Sequence, residues 1–128
     1  MRKRKILIAD DEKDLCEILQ FNLENENFEV VTVNSGEEAL ALSLPSFDLL
    51  LLDVMMDKIS GYKLAQILKE NPKTSNIPII FITARDSEND TLTGFSIGAE
   101  DYIHKPFSIR ELIARINVVF RRDRKSVV

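Results

Sequence analysis

The sequence predicts an α/β fold of five successive βα units, which gives a doubly wound, five-stranded parallel sheet with helices on both faces. Three observations predict it. Short apolar runs alternate with segments of helical periodicity along the chain. The four leucines at 49–52, set between Asp48 and Asp53, form a continuous apolar run, as expected of a strand buried on both faces. A chain of 128 residues with 45 % hydrophobic and 30 % charged side chains suits one globular domain with a real core.

Taken in order, residues 5–9 give β1, which ends in Asp10 and Asp11. Residues 13–25 carry Leu15, Ile18, Leu19 and Leu23 at helical spacing and predict α1, with Phe21 off the stripe. The β-branched segment 28–33 predicts β2. Ser35 and Glu38 make a capping-box pattern that opens α2, and Pro45 ends it. Residues 48–53 give β3, ending in Asp53. Ser60 caps α3 at 61–70, with Leu64, Ile67 and Leu68 on one face and Pro72 as a stop. Residues 77–82 give β4, with Pro78 tolerable near its start and Thr83-Ala84 after its end. A weaker helical segment, 87–97, predicts α4, and 99–103 predicts β5, followed by Lys105-Pro106. Ser108 opens α5, with Leu112, Ile113, Ile116, Val119 and Phe120 inward.

Composition excludes several classes. A net charge of −4 argues against the domain itself gripping nucleic acid, which needs a basic face. The basic runs at the two ends read as solvated termini or, at the C-terminal end, as the start of a linker. One cysteine, Cys16, and one histidine exclude an internal disulfide and a multi-histidine metal centre, and fit a reducing, cytoplasmic setting. No apolar run approaches the ~18 to 20 residues of a membrane span, so no membrane partner is expected.

Ligands of open α/β sheets bind outside the carboxyl ends of the strands. Asp10, Asp11, Asp53, Thr83 and Lys105 should therefore converge on one edge. Three carboxylates brought together repel unless a cation intervenes. An oxygen-only donor set with water nearby suits Mg²⁺. An aspartate there can act as a nucleophile and form an aspartyl phosphate. Lys105 offers a positive charge and Thr83 a hydroxyl to phosphate oxygens, so catalysis would be positioning plus electrostatic stabilisation.

With these residues in place, the chain resembles the bacterial response-regulator receiver domain, CheY-like, over nearly its whole length. Asp10-Asp11 resemble that family's acidic pair, residues 51–56 followed by Gly61 its phosphorylation segment, Thr83-Ala84 its switch hydroxyl, and 101–107 its lysine-proline turn. The resemblance implies a flavodoxin-like strand order of 2-1-3-4-5 and phosphorylation of Asp53 by a sensor histidine kinase. It implies Mg²⁺ held by Asp11, Asp53 and the backbone carbonyl of Met55, with Asp10 joining directly or through water, and a cis peptide before Pro106. Thr83 and Tyr102 would form the switch that remodels the α4-β5-α5 face. Catalysis would be confined to the domain's own phosphotransfer and autodephosphorylation, with Met55 and Arg85 flanking the path of attacking water.

The final helix, from Glu111 through Arg122, is similar to the OmpR/PhoB class. That implies a receiver over 1–122, a linker or tail from 123, and control of transcription through a DNA-binding domain absent from this chain. It also implies a homodimer through α4-β5-α5 with Asp101 and Arg115 as one charged pair. Two departures qualify the match. Asp57 stands where the family usually has proline, adding a carboxylate beside the metal loop. Thr91 and Thr93 stand where the class has basic residues, leaving Glu111 without its partner, so that a weakened or differently built dimer is expected. Two rival readings are a non-phosphorylating interaction module and a small doubly wound enzyme. The complete acidic, hydroxyl and lysine set argues against the first, and the absence of a Gly-rich phosphate loop against the second.

Overall fold

Five parallel strands lie in the order β2-β1-β3-β4-β5, as expected. The computed structural model describes residues 2–84, 93 and 95–125, the last three by backbone alone. The strands are β1 Lys5–Ala9, β2 Glu29–Val33, β3 Leu49–Asp53, β4 Ile79–Thr83 and β5 Asp101–His104. The helices are α1 Lys13–Asn25, α2 Gly36–Leu40, α3 Gly61–Glu70 and α5 Ile109–Lys125. Of the segment expected to form α4, residues 93 and 95–97 are helical, and Arg85 and Thr91 lie outside the described residues.

The apolar runs are continuous because successive residues serve two cores. Leu7, Leu50, Leu52, Ile79, Phe81 and Tyr102 face the side covered by Ala39 of α2 and Leu64, Ala65 and Leu68 of α3. Ile6, Ile8, Leu49, Leu51, Ile80, Ile82 and Ile103 face Leu19 and Leu23 of α1 and Leu112, Ile116 and Phe120 of α5. Each fully buried side chain of this size contributes about 1.5–3 kcal/mol. Side-chain caps fix three helix starts: Ser35, Ser60 and Ser108 hydroxyls accept from the amides of Glu38, Lys63 and Glu111 at 3.1, 3.1 and 3.0 Å. Each cap is worth roughly 1 kcal/mol.

The differences from expectation have local causes. The β4 ladder starts at Ile79 because Pro78 has no N–H to give it; the Pro78 carbonyl still accepts from the Leu50 amide at 3.0 Å. β4 ends at Thr83, its last residue. α2 stops at Leu40, and Pro45 sits in a separate 3-10 turn, Leu44–Ser46, that buries Leu44. The Glu38 carboxylate reaches the Asn34 amide, one residue earlier than a capping box would place it. The inner stripe of α1 is Cys16, Leu19 and Leu23, and Ile18 is left 52 % exposed.

Candidate phosphoryl-acceptor site

β1 and β3 end side by side, Ala9 being paired with Leu52. Asp10 therefore emerges beside Asp53, the last residue of β3, and both side chains are buried. Asp11 stands exposed at the rim. Each of the three offers a carboxylate oxygen, and these oxygens lie within 4.8 Å of one another. Lys105 follows β5, its amide donating to the Thr83 carbonyl at 2.7 Å and its peptide bond to Pro106 being cis. Its ammonium lies 3.1 Å from Asp10 Oδ2, 3.5 Å from Glu12 Oε1 and 4.0 Å from Asp53 Oδ2.

Asp10 is pinned at both oxygens, since Oδ1 accepts from the Glu12 amide at 2.9 Å. Its own carbonyl is held by Asn34 Nδ2 at 2.9 Å and the Cys16 thiol at 3.4 Å. Asp53 Oδ1 accepts from the Met55 amide at 3.2 Å. Oδ2 lies 4.0 Å from the Lys105 ammonium.

Electrostatics follow from this crowding. Burial and the neighbouring Asp10 push the Asp53 carboxyl up to about 7, against the opposing pull of Lys105 and the Met55 amide. Burial alone would lower the Lys105 ammonium, but its hydrogen bond to Asp10 and the charges of Asp10, Asp53 and Glu12 hold it above the ordinary lysine range. A buried carboxylate that resists ionisation, beside two others, is an oxygen donor set that invites a hard divalent cation.

A comparison with protein families finds the response regulator receiver domain over residues 6–117. The chain belongs to that family. Receiver domains of this kind are the phosphorylation switches of two-component response regulators. This receiver domain is 48 % identical over 119 residues to the transcriptional regulatory protein CpxR of Klebsiella pneumoniae, covering 93 % of this chain and 50 % of that one. It is 43 % identical over 121 residues to the response regulator SaeR of Staphylococcus epidermidis, covering 94 % of this chain and 52 % of that one. The chain thus spans about half the length of the curated relatives it matches. Among solved structures it is similar to the non-phosphorylated HemR receiver domain from Leptospira biflexa, with TM-score 0.85, 33 % identity and coverage of 91 % and 94 % of the two chains. A CheY-like receiver domain from Methanospirillum hungatei superposes with TM-score 0.89 at 25 % identity, covering 98 % and 99 %.

Within this receiver domain, Asp10, Asp11, Asp53 and Lys105 meet as the sequence predicts. Thr83 is fully buried at the end of β4. Tyr102, on the neighbouring strand, is buried as well, its ring 6.1 Å from that of Phe81. Asp101 and Arg115, expected to meet across a dimer, are joined within one chain by two hydrogen bonds of 2.9 and 3.0 Å.

Two contributors escape sequence reading, and a third, Gly61, has a structural role that its place in the phosphorylation segment does not state. Asn34 supports the Asp10 carbonyl, and nothing in the local pattern marks it. Gly61 is needed for more than the start of a helix, because a Cβ there would lie 2.2 Å from the Asp53 carbonyl oxygen. Tyr62 donates to or accepts from the Tyr102 hydroxyl at 2.7 Å across 40 residues of sequence. No helix among the described residues is long and apolar enough to cross a membrane.

Proposed function

We infer that Asp53 accepts a phosphoryl group from the phosphohistidine of a sensor kinase, and that Thr83 and Tyr102 relay the change to the α4-β5-α5 face. The observation that carries this reading is one buried carboxylate, Asp53, enclosed by two others and by an ammonium at the carboxyl edge of the sheet. Asp53 Oδ1 is engaged by the Met55 amide, so Oδ2 is the oxygen placed to attack phosphorus. The O–P bond forms as the N–P bond of phosphohistidine breaks, and the imidazole leaves neutral because its other ring nitrogen carries a proton. Lys105, tethered by Asp10, sits where it can neutralise phosphoryl oxygens, and Thr83 at the end of β4 supplies a hydroxyl.

The donor set fits Mg²⁺: Asp10, Asp11, Asp53 and the Met55 carbonyl would hold it, and the ion would offset carboxylate and phosphoryl charge. Asp57 lines the same cleft as Asp11 and adds to its negative charge. Autodephosphorylation is attack of water on the phosphoryl group, which regenerates the Asp53 carboxylate and releases inorganic phosphate, with the half-exposed Met55 beside the approach.

The kinase would dock beside the acceptor. A cleft of about 630 Å³ there is lined by Leu15, Ile18, Lys105, Pro106, Phe107 and Ile109. Exposed Ile18 thus has an assigned use in place of a core position. The test is intact mass after incubation with acetyl phosphate or with a phosphorylated kinase, each with and without Mg²⁺. One phosphoryl group should be added by either donor, only with Mg²⁺. Ile18→Glu should slow transfer from the kinase about ten-fold or more and leave acetyl phosphate labelling unchanged. A folded wild type that gains no mass from either donor would sink the switch reading.

We assign residues 1–122 to the receiver and the rest to a linker or tail that begins as a continuation of α5. By analogy with relatives named as transcriptional regulators, the output is transcription through a DNA-binding domain, in the cytoplasm, where the free Cys16 thiol is at home. Self-association through α4-β5-α5 is weak in this reading. The Asp101–Arg115 pair, already closed within the chain, has to open before it can join a second copy. Sedimentation of the phosphorylated domain should show mainly monomer at micromolar concentration. A tight dimer would show that the closed pair is no obstacle.

A further inference from the structure

Tyr62 on α3 and Tyr102 on β5 bring their hydroxyls to 2.7 Å. The Tyr62 ring stands edge-on to Phe81 of β4, centroids 4.9 Å apart at 86°, and Phe81 in turn contacts the Tyr102 ring. On its other side Tyr62 is tied to the acceptor loop. Gly61, the residue before it, donates its amide to the Val54 carbonyl at 3.0 Å and lies against the backbone of Asp53. Two adjacent residues therefore link the backbone that carries the phosphoacceptor, met by Gly61, to the aromatic residue of β5, met by Tyr62.

We propose that Tyr62 is a positioning residue for Tyr102: its hydroxyl holds the Tyr102 ring in the inward, buried position before any phosphoryl group arrives. The inference rests on the reading of Tyr102 as the switch aromatic. Its consequence is that part of the switch is set at rest, and that α3 offers a route from the acceptor loop to β5 beside the one through Thr83. Linkage gives the claim a second face. A contact that favours the inward ring tightens the site for a phosphoryl group by the same factor that the phosphoryl group favours the ring.

The chain has two tyrosines and no tryptophan, so ring-labelled ¹³C-tyrosine gives a spectrum of these two residues alone. Tyr62→Phe keeps the ring on Phe81, removes one hydroxyl and leaves Tyr102 as the sole signal. The measurement is the solvent paramagnetic relaxation of that signal, with and without beryllofluoride and Mg²⁺, together with the apparent Kd for beryllofluoride. In wild type the Tyr102 signal should be shielded in both states. In Tyr62→Phe it should become solvent-accessible at rest and shielded again on saturation, with the Kd raised about five-fold, the value of one net hydrogen bond. A Tyr102 ring equally shielded in resting Tyr62→Phe, with an unchanged Kd, overturns the positioning role. A ring that swings out and stays out at saturating beryllofluoride overturns the switch reading instead, because the ring would then be uncoupled from the site.

Discussion

Replacing Asp53 by asparagine should end phosphoryl incorporation and, in the absence of divalent cations, make the domain more stable. The amide keeps the size of the carboxylate but cannot attack phosphorus. The gain in stability comes from the charge that the amide lacks. Burial and Asp10 raise the Asp53 carboxyl from the 3.8 of an ordinary aspartate to about 7. The folded form therefore holds this proton more tightly than the unfolded chain does. Its contribution to stability is complete below about pH 4 and is lost as the pH rises through about 7, where the fold must carry a carboxylate that it resists. The loss is at most about 4 kcal/mol, and less to the extent that the site relaxes. Asp53→Asn escapes it, so near pH 8 its thermal midpoint should exceed that of wild type by about 5 °C or more, with the two converging near pH 4. Added Mg²⁺ should raise the wild-type midpoint near pH 8 and move that of the variant less. Thermal melts at the two pH values, paired with intact mass, read both halves. Phosphoryl mass retained by the variant would relocate the acceptor. Equal midpoints near pH 8 would show that Asp53 carries no charging cost.

Gly61→Ala should destabilise the domain by about 3 kcal/mol or more, a large effect for adding one methyl group. A Cβ at this position would meet the Asp53 carbonyl oxygen at 2.2 Å, the Asp53 carbonyl carbon at 2.8 Å and Val54 Cα at 3.0 Å. All three atoms belong to the backbone at the end of the central strand, which has no room to retreat. Gly36 gives the contrast. A Cβ there would meet Ile59 Cβ and Cγ2 at 2.8 and 2.9 Å and its carbonyl oxygen at 3.3 Å, a milder overlap than the one at Gly61. Gly36→Ala should cost clearly less. Relief at Gly61 would come by displacing the 54–60 loop, so labelling by acetyl phosphate should fall as well. Urea denaturation of both variants measures the difference, and a loss below about 1 kcal/mol in Gly61→Ala would show that the close approach is readily relaxed.

The contrast between these glycines also marks how far the sequence could be read. Strand ends and the residues that follow them were legible because the apolar runs of a doubly covered sheet are unbroken, and because Asp10, Asp53 and Lys105 interrupt or follow those runs. Helix starts were legible from Ser35, Ser60 and Ser108, whose hydroxyls do cap. What stayed hidden depends on approach between distant segments. Periodicity put Ile18 in the core, but the α1 face turned toward the sheet is set by Cys16, Leu19 and Leu23. Gly61 was recognisable by resemblance as part of the phosphorylation segment, but its closeness to the Asp53 carbonyl leaves no trace in local sequence. Nothing in either segment announces that Tyr62 and Tyr102 share a hydrogen bond. Asp101 and Arg115 were recognisable as partners, but whether they meet within a chain or between chains is a matter of how α5 lies against β5.

The sheet that divides the core also divides the labour of the molecule. Leu15 and Ile109, beside the proposed kinase cleft, pack with the α1–α5 core, whereas Phe81 and Tyr102 belong to the α2–α3 core on the opposite side. Substitutions on the two sides share few contacts, and effects of separated sites combine additively. With the kinase docked on the outer face of α1 as proposed, substitutions there would change partner choice and leave the relay between acceptor loop and β5 in place. Sensitivity and partner choice become separately heritable traits of one small domain.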